Sequence, residues 1–257
     1  IRLMIRVVLI GSGKVAVHLA RAQEKTESIR LVQYYSRPDR NKHNFSENIP
    51  HTKDLVSLVE ADVYLIAIKD EAIEEVASQI SDRKGLVLHT SGSISLKSLR
   101  SAKRYGVLYP VQTFSKDREL DWKKIPLALE ASSPDAMALL RELASSLSDQ
   151  VYEIDSVRRK KLHLSAVFAN NFSNHMFALA EELCQENQLD FELLKPLISE
   201  TGKKVISIPP EEAQTGPARR HDYTVLEEQA NELNRDKKVI YEMLSQSISS
   251  RYPKNET

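Results

Sequence analysis

Cysteine is nearly absent from this 257-residue chain, with Cys184 alone present. A single thiol excludes an internal disulfide and fits a reducing compartment, so a cytoplasmic location is expected. Leu183 and Ala180 beside it suggest a helical packing position rather than a reactive one. Neither sign of charge predominates, because 36 Lys and Arg balance 36 Asp and Glu. No global field therefore draws the chain to nucleic acid or a membrane surface. Basic blocks interleaved with aromatics are missing, and no apolar run approaches the ~18 residues of a membrane helix. The apolar opening is too short for a secretory signal and reads as a strand; starting at Ile1, the chain is expected to have lost a short leader. The seven histidines show no paired ligand spacing, so no metal centre is expected. Neither a Gly-x-Ser-x-Gly elbow nor a Cys/His nucleophile pattern occurs, and there is no internal repeat or low-complexity tract.

What is present begins at once. A β-branched run, Val7-Val8-Leu9-Ile10, meets Gly11-Ser12-Gly13, and a helical pattern opens at Lys14-Val15-Ala16. This strand–turn–helix order is the phosphate-binding unit of dinucleotide folds. Gly11 permits the tight turn, Gly13 lets backbone approach a pyrophosphate, and the helix amides offer a partly positive end. The structural alternative is an ordinary tight β–α turn.

Strand-like runs follow at 29–36, 63–68, 86–89, 107–109, 127–130 and 151–154, with helical segments at 14–25, 53–59, 71–80, 95–105 and 134–147. Such alternation predicts an α/β domain with a doubly wound, mostly parallel sheet. Ser133-Pro134-Asp135 reads as a helix start, and Asp70 as the cap of the helix starting at Glu71. Beyond Asp155 strand patterns cease. A helical pattern of about thirty residues from Ser156 exceeds the average helix. A second follows over 190–207, with a kink or break at Pro196, and a last over 222–252. Two domains are expected, 1–155 and 156–257.

The end of the second strand reads the adenosine ribose in this fold: an acid favours NAD and arginine the 2′-phosphate of NADP. Here it carries Ser36 and Arg37, with Asp39 and Arg40 farther along the loop. NADP is the expected cofactor, the alternative being a solvated Arg37. Ile68 and Lys69 end the third strand and fall beside the adenosine. His89, Thr90, Ser91 and Gly92 end the fourth, where nicotinamide or substrate would sit, although a strand-end histidine also serves structurally.

In the helical half, spacing of about 100° per residue puts His163, Asn170 and Asn174 on one stripe, with Asn171 at its edge. Leu164, Phe168, Phe172, Leu179 and Leu183 lie opposite and look like core. Amides are poor helix-interior residues, so the stripe suggests a polar pocket wall in which His163 transfers a proton and the asparagines orient substrate. Buried hydrogen bonds between helices are the bland alternative. Farther on, Thr215, Arg219 and Arg220 flank Gly216-Pro217 and would grip an anion, or sit in solvent at a helix entry capped by Asp222.

Taken in order, Gly11-Ser12-Gly13-Lys14-Val15-Ala16, His89-Thr90-Ser91-Gly92-Ser93, Tyr109-Pro110-Val111-Gln112-Thr113-Phe114, the run 162–172 and Thr215-Gly216-Pro217-Ala218-Arg219-Arg220 resemble one family over nearly the whole chain. It is that of NADP-dependent oxidoreductases pairing a Rossmann domain with a helical C-terminal domain of unknown function. The family is similar in architecture to pyrroline-5-carboxylate reductase and to the 6-phosphogluconate and β-hydroxyacid dehydrogenases. The resemblance implies a homodimer through the C-terminal helices and a cleft between domains for nicotinamide and substrate. Tyr109 stands where many members have histidine. The lysine–asparagine pair of β-hydroxyacid dehydrogenases is not reproduced, since Lys160 and Lys161 are followed four residues later by Leu164 and Ser165. The expected activity is hydride transfer to or from a small carbonyl, imine or hydroxy acid. The alternative is a non-catalytic NADP-binding regulatory or scaffold protein; methyl transfer from a sulfonium nucleotide would leave Ser36 and Arg37 without a role.

Overall fold

Alternating side chains in the first strand require two apolar layers. In β1 (Ile5–Ile10), Val7 and Leu9 join one buried cluster while Val8 and Ile10 join another. This is the two-sided burial of a covered parallel strand. The structure, a computed structural model, describes residues 4–37, 45–115 and 118–253; Asp39 and Arg40 lie outside these. The chain divides into two compact units, Ile1–Asn171 and Phe172–Thr257.

The first unit is built on an eight-stranded sheet. After β1 come β2 (Ile29–Tyr35), β3 (His51–Thr52), β4 (Val63–Ile66), β5 (Leu86–His89), β6 (Tyr105–Pro110), β7 (Leu127–Ala131) and β8 (Val151–Glu153). Their order is β3-β2-β1-β4-β5-β6-β7-β8, and every pairing is parallel except β6 with β7. The expected doubly wound, mostly parallel sheet is therefore present. Three helices cover it: α1 (Lys14–Glu24), α2 (Ile73–Gln79) and α3 (Pro134–Leu147). Leu19 and Ala20 of α1 pack with Leu139, Leu140 and Leu143 of α3 in one cluster, and Ile73, Val76 and Ala77 of α2 in the other. Each large aliphatic side chain so buried contributes about 1.5–3 kcal/mol. Ser133 caps α3 as expected, its Oγ accepting from the Ala136 amide at 3.2 Å.

Several expected elements differ. Residues 53–59 form turns, because the Asp54 carboxylate accepts from the Val56 amide (2.9 Å) and the Ser57 hydroxyl (3.0 Å) and so holds a local turn instead of a helix. The expected helix over 95–105 shrinks to a 3₁₀ turn, Leu96–Leu99, since Ser98, Arg100 and Ala102 bond to carbonyls three residues back. Asp70 caps nothing; it lies inside a 3₁₀ turn, Asp70–Ala72, preceded by Lys69. The two-residue edge strand β3 is too short to leave a pattern in the sequence.

The pattern starting at Ser156 is three pieces. Helix α4 (Ser156–Ala166) belongs to the first unit, a π-helical turn spans Val167–Phe172, and α5 (Ser173–Glu186) belongs to the second. Asp155 marks where strands give way to helices, whereas the compact units divide farther on, within the π turn.

The second unit continues with α6 (Lys195–Ser207), α7 (Pro210–Ala213), α8 (Pro217–Arg220), α9 (Tyr223–Asn231) and α10 (Arg235–Arg251). Pro196 does not kink a helix, because it occupies the first turn of α6, where its missing N–H is tolerated. The expected last helix is two, since the Asn234 side chain accepts from the Lys237 amide (3.1 Å) and starts α10 afresh. The Lys237 ammonium bonds Glu186 (2.8 Å) and pairs with Glu182 (3.1 Å), tying α10 to α5. Cys184 is buried on α5, as its neighbours suggested. One packing expectation fails: Leu164, Phe168 and Phe172, read as core, are 58%, 63% and 48% exposed. No described helix is long and apolar enough to cross a membrane.

Candidate functional site

Adjacent parallel strands end along one edge of a sheet. The neighbours β2, β1, β4 and β5 therefore line up the residues that follow them: Ser36 and Arg37, Gly11 to Val15, Ile68 and Lys69, and His89 to Gly92. Ligands of open α/β sheets bind outside this edge.

The two glycines of the first turn differ in what surrounds them. Gly11 has φ +131°, and a Cβ there would lie 2.1 Å from the Ala67 carbonyl oxygen and 3.1 Å from Ile68 Cγ2. The fold itself demands glycine. At Gly13 a Cβ would meet no atom within 4 Å, and φ −73° suits any residue. Among the described residues, then, no packing contact accounts for glycine at this position. Gly13 also precedes α1 without a side-chain cap, so the first amides of the helix, from Lys14 and Val15 onward, have no side-chain acceptor at the cap position; Gly13 and Lys14 are exposed, and Ser12 and Val15 are half-buried. Ile68 is half-buried, and Lys69 is exposed with its ammonium 3.9 Å from Glu71.

At the end of β2, Ser36 is 4% exposed. Its Oγ lies 3.0 Å from His51 Nε2. The Arg37 side chain is 65% exposed; its Nε donates to Tyr35 Oη at 3.2 Å, and an Nη lies 3.8 Å from Glu75. The guanidinium is thus steadied at one corner and open to solvent elsewhere.

The loop after β5 folds upon itself. His89 is fully buried, and its Nδ1 accepts from the Ser91 amide at 3.1 Å. Burial first, then the nearby Arg159 charge, push its pKa down to about 3, so the ring is neutral. Ser91 Oγ accepts from the Ser93 and Ile94 amides, both at 3.1 Å. His89 and Ser91, expected against nicotinamide, shape the turn, and Thr90 and Gly92 complete it. Gly92 packs so closely that a Cβ would lie 2.7 Å from His163 Nδ1 and 2.8 Å from Tyr109 Cζ.

Those two neighbours form the pair that the sequence did not reveal. Tyr109, on β6, sets its Oη 3.0 Å from His163 Nδ1, with the rings edge-on at 5.8 Å and 75°. Burial raises the Tyr109 pKa, against a smaller opposing pull from Arg159, so the phenol keeps its proton. A protonated phenol can donate to Nδ1 or accept from it, and in either case the bond is made through Nδ1 and leaves Nε2 to other partners. His163 is half-buried on α4. One turn earlier on the same helix, Arg159 is fully buried. Its guanidinium bonds Glu130 of β7, the Ile94 carbonyl and, at 3.3 Å, Ser156 Oγ. Ser156 Oγ donates to Glu130 at 2.6 Å and accepts from the Leu96 amide at 3.0 Å.

Asn170, Asn171 and Asn174 are exposed, the first two within the π turn. That turn interrupts the uniform 100° spacing behind the stripe of His163, Asn170 and Asn174, so the count does not extend through it. In the second unit, Thr215 is exposed. Arg219 donates to the Glu212 carbonyl (3.4 Å) and the Gln214 carbonyl and lies 4.9 Å over the Tyr252 ring. The structure engages it in its own loop, where the sequence reading aimed it at substrate. Among the described residues no three His, Cys, Asp or Glu side chains are grouped to hold a metal ion.

Residues 125–248 match the model of a domain of unknown function, DUF2520. No curated protein matches the chain by sequence. Among solved structures, a "putative NADP oxidoreductase" from Bacteroides fragilis is 41% identical with a TM-score of 0.90, over 97% of this chain and 100% of that one. The Thermotoga maritima protein TM1727 follows at 20% identity and TM-score 0.73, over 96% and 98% of the two chains. A Plasmodium falciparum pyrroline carboxylate reductase with NADP bound shares the fold at 12% identity and TM-score 0.64, over 97% and 98%. On the identity and full-length coverage of the Bacteroides fragilis protein, the chain belongs to the family of NADP oxidoreductases that join a Rossmann-type sheet domain to a helical DUF2520 region.

Proposed function

We propose that the chain is an NADP(H)-dependent oxidoreductase that transfers a hydride to or from a small carbonyl, imine or hydroxy acid. The observation that carries this reading is the contrast at the first turn: Gly11 is glycine because the protein is there, and Gly13 is glycine although nothing of the protein is. A pyrophosphate against Gly13 and the amides of Lys14 and Val15 explains that residue choice. Ser36 and the open face of Arg37 supply donors for a 2′-phosphate, and Ile68 and Lys69 flank the adenosine. The NADP named with the Plasmodium reductase of the same fold supports the cofactor.

Bound there, the nicotinamide supplies the hydride chemistry. The chain's own part is to hold a proton and orient the acceptor. His163 meets Tyr109 through Nδ1, which leaves Nε2 for the reacting group; as imidazolium it gives the Nε2 proton to that group's oxygen or nitrogen and becomes neutral imidazole, and in the reverse direction the neutral ring takes the proton back. Asn170 and Asn171, exposed amides in the π turn, orient the substrate's polar atoms. A titration of cofactor fluorescence tests the reading. Wild-type protein is expected to bind NADPH much more tightly than NADH. Arg37→Ala should weaken NADPH about 10–100-fold, as for a lost hydrogen bond to a charged group, and leave NADH unchanged. Gly13→Ala should weaken both by at least about tenfold with the unfolding midpoint unaltered. Equal affinities in the wild type, or unimpaired binding by Gly13→Ala, overturn the assignment.

The same reading takes the protein as a homodimer through its C-terminal helices. Leu193 and Leu197, four residues apart across the start of α6, are 71% and 63% exposed. Apolar exposure on this scale marks a contact surface, and a two-fold partner would cover it with the same patch. Light scattering is expected to give about twice the 29.2 kDa chain mass, and a monomer at micromolar concentration overturns this. A cytoplasmic location goes with the single buried thiol of Cys184.

A further inference from the structure

Alternate residues of a strand share a face of the sheet, so Tyr35, the last residue of β2, and Arg37 just past it meet on one side. The Tyr35 ring is buried in the cluster that also takes Ile73, Val76 and Ala77 of α2, which puts α2 on that side. From its exposed surface α2 brings Glu75 to Arg37.

Arg37 is therefore held between two unlike partners. Its Nε donates to Tyr35 Oη at 3.2 Å, and an Nη stands 3.8 Å from a Glu75 carboxylate oxygen. The first is a hydrogen bond of fixed direction, because a guanidinium only donates. The second is too long for a hydrogen bond and joins side chains 65% and 64% exposed, so it is a loose, screened attraction. The same Glu75 oxygen accepts from Gln79 Nε2 at 3.1 Å, which keeps the carboxylate in place. A guanidinium pinned at Nε presents its two Nη groups as the remaining fork, and parallel N–H donors match the oxygens of a phosphate monoester. Glu75 stands at that fork with the charge sign of a phosphate and without its hydrogen bonds. We propose that Glu75 is a specificity-determining residue, an internal competitor that the ribose 2′-phosphate displaces from Arg37 while Tyr35 holds Nε. The inference rests on the NADP(H) reading above. The two partners of Arg37 then act in opposite directions on NADPH: Tyr35 favours it by pre-organising the fork, and Glu75 opposes it. NADH has no 2′-phosphate, and neither residue bears on it.

The readout is the affinity of the full chain for NADPH and for NADH, by fluorescence titration. Glu75→Gln keeps the size and an acceptor for Gln79. It is expected to tighten NADPH about two- to fivefold, the scale of an exposed ion pair, with NADH unchanged, and the gain should shrink in about 0.5 M salt. Tyr35→Phe should weaken NADPH about three- to tenfold and leave NADH alone. Glu74→Gln, the same charge change one residue away on α2, should alter neither. With Arg37→Ala in place, Glu75→Gln and Tyr35→Phe should both lose their effect, because each acts through the guanidinium. NADPH binding that Glu75→Gln leaves unchanged or weakens, equal tightening of both cofactors, a gain that persists in full without Arg37, or a Tyr35→Phe variant with the wild-type preference would each overturn the arrangement. A wild-type protein that does not distinguish NADPH from NADH would instead overturn the cofactor reading itself, and this inference with it.

Discussion

Replacing His163 with alanine is expected to lower turnover about 10²–10⁴-fold, the usual contribution of a positioned proton donor, while NADPH affinity holds. Loss of NADPH absorbance across a panel of small carbonyls and imines is the measurement. The separation of effects follows from geometry: His163 is reached through Tyr109 and Gly92, whereas the proposed phosphate and ribose contacts come from the ends of β1 and β2. Tyr109→Phe removes only the partner on Nδ1, so a smaller loss, on the order of tenfold, is expected with the ring still present. Because His163 is half-buried and bonded through one nitrogen, its removal should leave the circular dichroism spectrum and unfolding midpoint near wild type. An alanine variant that unfolds, or that turns over at the wild-type rate, would show the pair to be structural.

Legibility in the sequence tracks how local each feature is. The Gly11–Gly13 turn, the strand ends and the Ser133 cap were readable because adjacent residues decide them. Residues 53–59 misled because about two turns of helical pattern lost to one side chain, Asp54, bonding the Val56 amide and the Ser57 hydroxyl. His163 was found, but its partner Tyr109 lies 54 positions away, and only the register of β6 beside β5 brings it to Gly92. Glu75 was passed over for a similar reason, since it meets Arg37 from another element, α2. Leu164, Phe168 and Phe172 were read correctly as an apolar face and wrongly as core. A pattern of apolar positions says that a face is to be covered and does not say by what. The stripe of asparagines assumed a uniform helix, and the π turn at Val167–Phe172 withdraws that assumption.

Arg158 and Arg159 are neighbours in the basic run 158–161, and they are expected to respond oppositely to substitution. Arg158 bonds Asp155 at 2.8 Å with both side chains more than half exposed, so Arg158→Ala should leave the unfolding midpoint unchanged. Arg159 is fully buried, and its partner Glu130 has a side chain 17% exposed. Arg159→Met would strand the Glu130 charge and leave the Ile94 carbonyl without its donor. The cost of breaking such a pair is about 3–5 kcal/mol, read from chemical denaturation. Removing both partners, Arg159→Met with Glu130→Leu, should recover much of that loss, because the single variant is penalised mainly for an unpaired buried charge. The network does more than hold the sheet. Arg159 stands one helical turn before His163, and its bonds to β7 and to the loop after β5 fasten α4 to the same loop that carries Gly92. The double variant should therefore regain stability without regaining turnover, since apolar packing restores the fold but not the register of His163 on Tyr109. Recovery of both would make Arg159 a stability residue only, and a single variant as stable as wild type would remove the anchor altogether.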